Sequence, residues 1–169
     1  MNMKGQYFSF DAIIATVIMV LAFSSLVAYW HGAQAVVESR TYSRLADANR
    51  VAESLLSPGS PSGWADGTHS MGDVRHIGIA TGFNNELDMN KVATLQEMAK
   101  QANYYRETGN LLRAGGDYFI LIEQTDGNGA AIAEIGNGDY ADAGYVAVAN
   151  RGATLDGRPV RMRVFLWKQ

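Results

Sequence analysis

The chain has 169 residues, 47% hydrophobic and 18% charged, with 18 Gly, 3 Pro and no Cys. That length allows one domain of ordinary size together with an added segment. A net charge of −3 leaves no basic footprint for nucleic acid, and the lack of cysteine excludes a disulfide framework, a thiolate metal site, c-type haem attachment and a thiol nucleophile.

A charged share well below the roughly 25% of soluble domains points to one unusually apolar segment. It lies at Ala12 to Trp30, AIIATVIMVLAFSSLVAYW, nineteen residues without a charge. About 20 such residues cross a hydrocarbon core of ~30 Å as a helix. A buried core helix is the alternative, but core helices are usually amphipathic and this run is apolar on every face. Tyr29 and Trp30 suit the headgroup belt, and Lys4 before the run favours a cytoplasmic N-terminus with residues 31–169 outside. The run is too long for the apolar core of a cleaved secretory signal, and no Ala-x-Ala site clearly ends it.

The helix is expected to continue past the membrane surface. No Pro occurs from His31 to Ser57, and good helix formers dominate. Val37, Tyr42, Leu45, Ala48, Ala52 and Leu55 or Leu56 predict one apolar stripe, with Glu38, Arg40, Arg44, Asp47, Arg50 and Glu53 on the other faces. Gly32 is a candidate kink. The run Ser57-Pro58-Gly59-Ser60-Pro61-Ser62-Gly63 ends the helix. The domains expected are therefore 1–57, a leader plus the apolar helix and its amphipathic extension, and 58–169, a globular head.

Residues 58–87 read as an ordered loop that buries Val74, Ile77, Ile79 and Phe83. Asp88 is placed to cap a helix starting at Met89, with Val92, Leu95, Met98 and Ala99 inward, and a second helix covers Tyr104 to Leu112 before Gly115-Gly116. The period then changes. Asp117 to Gln124, residues 130–135, Tyr145 to Ala149 and Val160 to Trp167 read as strands, joined by turns at Asp126-Gly127-Asn128-Gly129 and Asp156-Gly157. These make an antiparallel sheet of about four strands with helices on one side. In the last strand, Phe165 and Trp167 alternate away from Val160, Met162 and Val164. Two-sided burial, under the long helix and against a neighbour, is the expectation, with Tyr42, Leu45, Ala52 and Leu55 on the sheet.

No catalytic motif is complete. Gly127-Asn128-Gly129 and Gly136-Asn137-Gly138 lack a third dinucleotide-loop glycine, and no phosphate-loop Gly-Lys-Ser/Thr occurs. Gly59-Ser60-Pro61-Ser62-Gly63 has Pro where a nucleophile elbow needs Ser. His31, His69 and His76 are too scattered for a zinc motif. Asp126, Asn128, Asn137, Asp139 and Asp142 offer oxygens but miss the EF-hand spacing. Tyr104-Tyr105-Arg106 reads as core and edge of a helix rather than a base-stacking patch. Neither enzymatic activity nor a metal or other cofactor is expected.

Lys4-Gly5-Gln6, followed by Tyr-Phe-Ser-Phe-Asp and the long apolar helix, resembles the class III signal peptide of archaeal type IV pilin-like proteins. The resemblance spans about residues 4–57. It implies an α+β, lollipop-like fold, with the N-terminal hydrophobic helix carrying a C-terminal antiparallel sheet. It further implies cleavage by a prepilin peptidase after Gly5, Gln6 as first mature residue, and Asp11 in the place of the family's assembly acid. In this chain the acid is Asp rather than Glu, and sixth rather than fifth after the presumed cut. The function implied is that of a structural subunit of an extracellular filament, built with identical subunits and pilus assembly machinery after insertion in the cytoplasmic membrane. The alternative is a membrane-anchored surface protein or minor pilin-like accessory that binds a partner through its head.

Overall fold

The structure, a computed structural model, describes residues 4–126 and 129–168, without the side chains of residues 4–9 and 40. The fold is α+β, a long N-terminal apolar helix followed by a five-stranded mixed sheet. Helix α1 spans Lys4–Leu55 and passes Gly32 without interruption. Two compact units divide the chain, Met1–Tyr42 and Ser43–Gln169.

In the second unit, α2 (Met89–Ala99) and α3 (Ala102–Leu112) precede most of the sheet. The carboxylate of Asp88 accepts from the N–H groups of Asn90 and Lys91, so the cap lies where the sequence places it. Helix α3 closes differently from the expectation. Arg113, at φ 54, takes the left-handed position itself, before Gly115-Gly116.

The strands are β1 (Glu86–Leu87), β2 (Asp117–Gln124), β3 (Ala131–Gly136), β4 (Val146–Leu155) and β5 (Arg158–Trp167), in the spatial order β1-β4-β5-β2-β3. The sheet is therefore not purely antiparallel, because β1 pairs parallel with β4 through Glu86–Thr154 and Leu87–Leu155. Strand β4 also runs six residues beyond the expected Ala149. Asn150, Arg151 and Gly152 look like a loop, yet they keep the ladder with β5 down to Leu155–Arg158. Asp156 (φ 51) and Gly157 (φ 74) form the two-residue turn, both in the left-handed region that such hairpins require. The turn between β2 and β3 falls partly outside the described residues, and a bulge interrupts that pair beside Ile122 and Glu123.

Strand β5 pairs with β2 and β4 without a register break, so its side chains alternate strictly. Val160, Met162, Val164 and Leu166 face the core together with Tyr118, Ile120, Ile122, Ala133, Ile135, Ala147 and Ala149. Phe165 and Trp167 are buried on the other face. Tyr140, from the β3–β4 connection, stacks on Phe165 at 5.4 Å and meets Trp167 edge-on at 5.7 Å. Two-sided burial thus holds, but the outer cover expected from a neighbour comes from the chain itself, which leaves Phe165 at 8% and Trp167 at 1% exposure.

The last turns of α1 close the core from the helical side, with Ala48, Val51, Ala52, Leu55 and Leu56 in one cluster with the sheet. The buried stripe is shorter than the periodicity suggests: Val37, Tyr42 and Leu45 are exposed. Two arginines fix this segment. Arg151 of β4 donates to Glu53 Oε1 at 2.8 Å and to Asn49 Oδ1 at 3.0 Å, and Arg50 donates to the carbonyl of Arg113 at 2.9 Å. The backbone N–H of Ile79 donates to the carbonyl of Leu55, which binds the following loop to the helix end. That loop buries Val74, Ile77 and Ile79, while Phe83, expected inward, is 88% exposed. Gly78 is indispensable, since a Cβ there would lie 2.1 Å from the carbonyl oxygen of Ser57.

Leu55→Ala is expected to destabilise the head by about 2–5 kcal/mol, the usual loss for a buried leucine. Tyr42→Ala is expected to change it by less than about 0.5 kcal/mol. Urea unfolding followed at Trp64, in detergent-held full-length protein, separates the two.

Candidate functional site

The first unit offers an exposed apolar surface. From Phe10 to Val37 the large apolar side chains are exposed, with Leu21 at 62% and Trp30 at 62%. The helix contains a window long and apolar enough to cross a membrane. Three of its hydroxyls bond its own backbone. Thr16 donates to the carbonyl of Ala12, Ser25 to that of Leu21 and Thr41 to that of Val37, at 2.8, 2.8 and 3.0 Å. Such bonds satisfy a hydroxyl without water and suit an apolar surrounding.

Asp11 lies exposed within α1, at the edge of the apolar run. Gly5 and Gln6 belong to the same helix by their backbone, and their side chains, with that of Lys4, lie outside those described.

The other residues of chemical interest are dispersed. Asp126 follows β2, whereas Asn137, Asp139 and Asp142 follow β3. The six residues of β3 put about 20 Å between those groups at the usual rise, so they do not converge on one cation, and Asn128 lies outside the described residues. The Asn137 side chain instead accepts from the N–H of Asp139 at 3.0 Å, a turn contact. Among the described residues no three potential ligands gather.

His31 and His69 are exposed. His76 is half-buried, with Nε2 2.8 Å from Ser57 Oγ and Nδ1 3.3 Å from Ser54 Oγ. Ser57 donates its proton to the carbonyl of Ser54, which leaves Ser57 Oγ to accept from His76 Nε2. The histidine fastens the helix end to the loop. Tyr105 stacks on Tyr118 at 4.7 Å, bonds Asp117 and accepts from the N–H of Tyr118, while Tyr104 faces outward. Burial raises the hydroxyl pKa of both Tyr105 and Tyr118.

Two buried charges escape the sequence patterns. Lys91 is 5% exposed, and its ammonium donates to the carbonyls of Pro58 and Ala80, both at 2.9 Å. It clips the loop to α2. Glu123, on the outer face of β2, is gripped by Arg161 and by Arg163, the latter at 2.7 Å. Burial alone would raise its pKa, but the bonds from Arg161 and Arg163 outweigh it and leave the carboxyl below its ordinary value. The acid near the end of DYFILIEQ, paired with the first of two arginines spaced i, i+2, was the available signal.

No family model, curated protein or solved structure matches this chain. By architecture it is an α+β protein whose N-terminal helix is long and apolar enough to cross a membrane.

Glu123 supplies a pH test of the head. A carboxylate with a lowered folded pKa contributes stability that is present above its unfolded value, about 4.3, and is lost as pH falls through the folded value. Glu123→Gln is expected to melt lower at pH 7 and to lose less of its midpoint than wild type between pH 5 and about 2. Calorimetric midpoints across that range give the comparison, and parallel curves would show that the triad does not titrate with folding.

Proposed function

We propose that this chain is the non-enzymatic structural subunit of an extracellular filament of the type IV pilus kind. One observation carries the reading: α1 is apolar and exposed all round through Val37, while its last turns are built into the core of the head. Exposed apolar surface on that scale calls for cover. Lipid covers it before assembly, in the cytoplasmic membrane, and the helices of identical subunits cover it afterwards, with the heads outside at the cell surface.

On this reading a prepilin peptidase-like enzyme cuts between Gly5 and Gln6, and pilus assembly machinery lifts the subunit from the bilayer. Asp11 then pairs with the freed amine of its own or a neighbouring chain, because an acid among apolar helices is costly alone. The inward-bonded hydroxyls of Thr16, Ser25 and Thr41 support both environments.

Shearing intact cells and examining the released fraction by negative stain, with N-terminal sequencing, tests the proposal. Filaments whose subunits begin at Gln6 are expected. Protein left wholly in the membrane would favour the anchored surface protein instead. Leu21→Lys is expected to abolish incorporation, since a bare charge in the helix bundle costs several kcal/mol. Asp11→Ala is expected to cut filament yield while membrane insertion stays intact, measured by immunoblot of sheared and membrane fractions. Equal yields would remove Asp11 from assembly.

A further inference from the structure

The two sides of the sheet are finished differently. At β3 the side-chain amide of Gln96 donates to the Glu134 carbonyl at 3.0 Å, and the strand stops at Gly136. On the other side β1 covers only Thr154 and Leu155, so β4 is itself the edge from Val146 to Gly152. Leu155 and Arg158 flank the two-residue turn, and the Thr154 N–H donates away from β5, to the carbonyl of Asn85 at 3.0 Å. Backbone groups alternate in direction along a strand, so Val146, Val148, Asn150 and Gly152 also turn theirs away from β5. Among the described residues these groups make no backbone hydrogen bond on that side. The Asn150 carbonyl takes the guanidinium of Arg151, at 2.8 Å.

Edge strands are commonly blunted by lysine, proline, a bulge or a charge. The run Val146-Ala147-Val148-Ala149-Asn150 has none of these, and its register with β5 is unbroken. The charge that follows, Arg151, is tied to Glu53 and Asn49 of α1. Each end of the open stretch carries an exposed aromatic ring. Tyr145, 45% exposed, comes directly before it. Phe83, 88% exposed, lies at the other end, two residues from the Asn85 carbonyl that holds Thr154. The Phe83 loop is fixed by its own bonds. Thr81 N–H donates to the Glu86 carbonyl at 2.8 Å, and the Asn84 amide donates to the Glu86 carboxylate at 3.2 Å. The ring is thus held out to solvent by an ordered loop.

We propose that the β4 edge from Val146 to Gly152 docks a second copy of this chain, strand against strand, antiparallel across a twofold axis near Ala149. The surface is its own complement. It has no charge aimed along the edge to repel a copy, and its donors and acceptors alternate. The twofold sets Val146 opposite Gly152 of the second copy and Val148 opposite Asn150, pairs that can each exchange two hydrogen bonds. It also brings Tyr145 of one copy, ~20 Å along the strand, to the Phe83 end of the other, so both exposed rings gain cover. An unrelated extended peptide would use the edge but not this match between its two ends. A twofold contact closes on itself. The inference concerns the head and goes beyond the filament reading. Joined to it, the contact ties one filament to another instead of building one.

The test uses full-length protein in detergent, with micelles in large excess so that two apolar helices rarely share one. The chain has no cysteine, so Asn150→Cys carries a single spin label at an exposed position of β4. A dimer with a narrow label separation below about 25 Å is expected, because paired strands lie about 5 Å apart and the label arms add the rest. Val148→Pro removes an N–H that β5 does not use, a change edge strands tolerate, and should abolish the short separation. Phe83→Ala should weaken dimerisation about tenfold, the scale of an aromatic anchor, with an unchanged melting midpoint. It decides the matter if the proline variant does not fold. A monomer at every concentration up to about 1 mM overturns the inference. So does a dimer with only long label separations, or one that neither variant weakens. None of these results bears on whether sheared cells release filaments.

Discussion

The burial of the last turns of α1 in the head is the contact on which the other features depend. Ala48, Val51, Ala52 and Leu55 lie three, one and three residues apart, the spacing of a single helical stripe. Two of the four are alanines, so the helix comes close to the sheet without a gap to fill. Apolar packing is non-directional and would tolerate rotation of the helix. Arg151 and Arg50 do not: each holds a fixed side chain or carbonyl across the boundary between helix and head. The stripe brings the helix in, and the two guanidinium groups set its angle about its own axis.

The two faces of the sheet solve different problems. The inner face is an apolar core whose charged residues, Arg151 and Arg158, lie toward the far end of the β4–β5 hairpin, with the head of Arg151 directed to the last turns of α1. The outer face changes character along the strands, from Phe165, Trp167 and Phe119 under Tyr140 to Glu123 between Arg161 and Arg163. The apolar end is covered by a loop, and the charged end covers itself by pairing. A five-stranded sheet with helices on one side only thus avoids a bare apolar back.

Much of this was legible from local chemistry. The cap at Asp88, the turn at Asp156-Gly157 and the alternation along Val160 to Trp167 each rest on a few adjacent residues, and each holds. The apolar helix was legible from composition alone. What was not legible depends on distant partners. Strand β1 has two residues, too few for any period to show, and exists because Leu155 and Thr154 lie beside it. Asn150-Arg151-Gly152 carries no strand signal, and the hairpin ladder extends through it all the same. Val37, Tyr42 and Leu45 continue the helical period of the buried stripe, yet the core ends at Ala48, since periodicity reports a face and not what meets it. The roles proposed for Gly5, Gln6 and Asp11 rest on resemblance, and the fold neither adds to them nor subtracts from them.

The arginine clamp also makes the head a mechanical element. A pull along α1 does not reach the sheet only through the loop after Leu56. It passes sideways, through Glu53 and Asn49 into Arg151, midway along β4. That strand shares ten consecutive register pairs with β5, and β5 is itself held by β2 along eight more. The contact with the last turns of α1 thus enters the sheet inside a continuous ladder and not at its end. Resistance of this kind is a matter of rate, set by the barrier to unfolding rather than by equilibrium stability. How long residues 43–168 stay folded under load is in this sense a kinetic property.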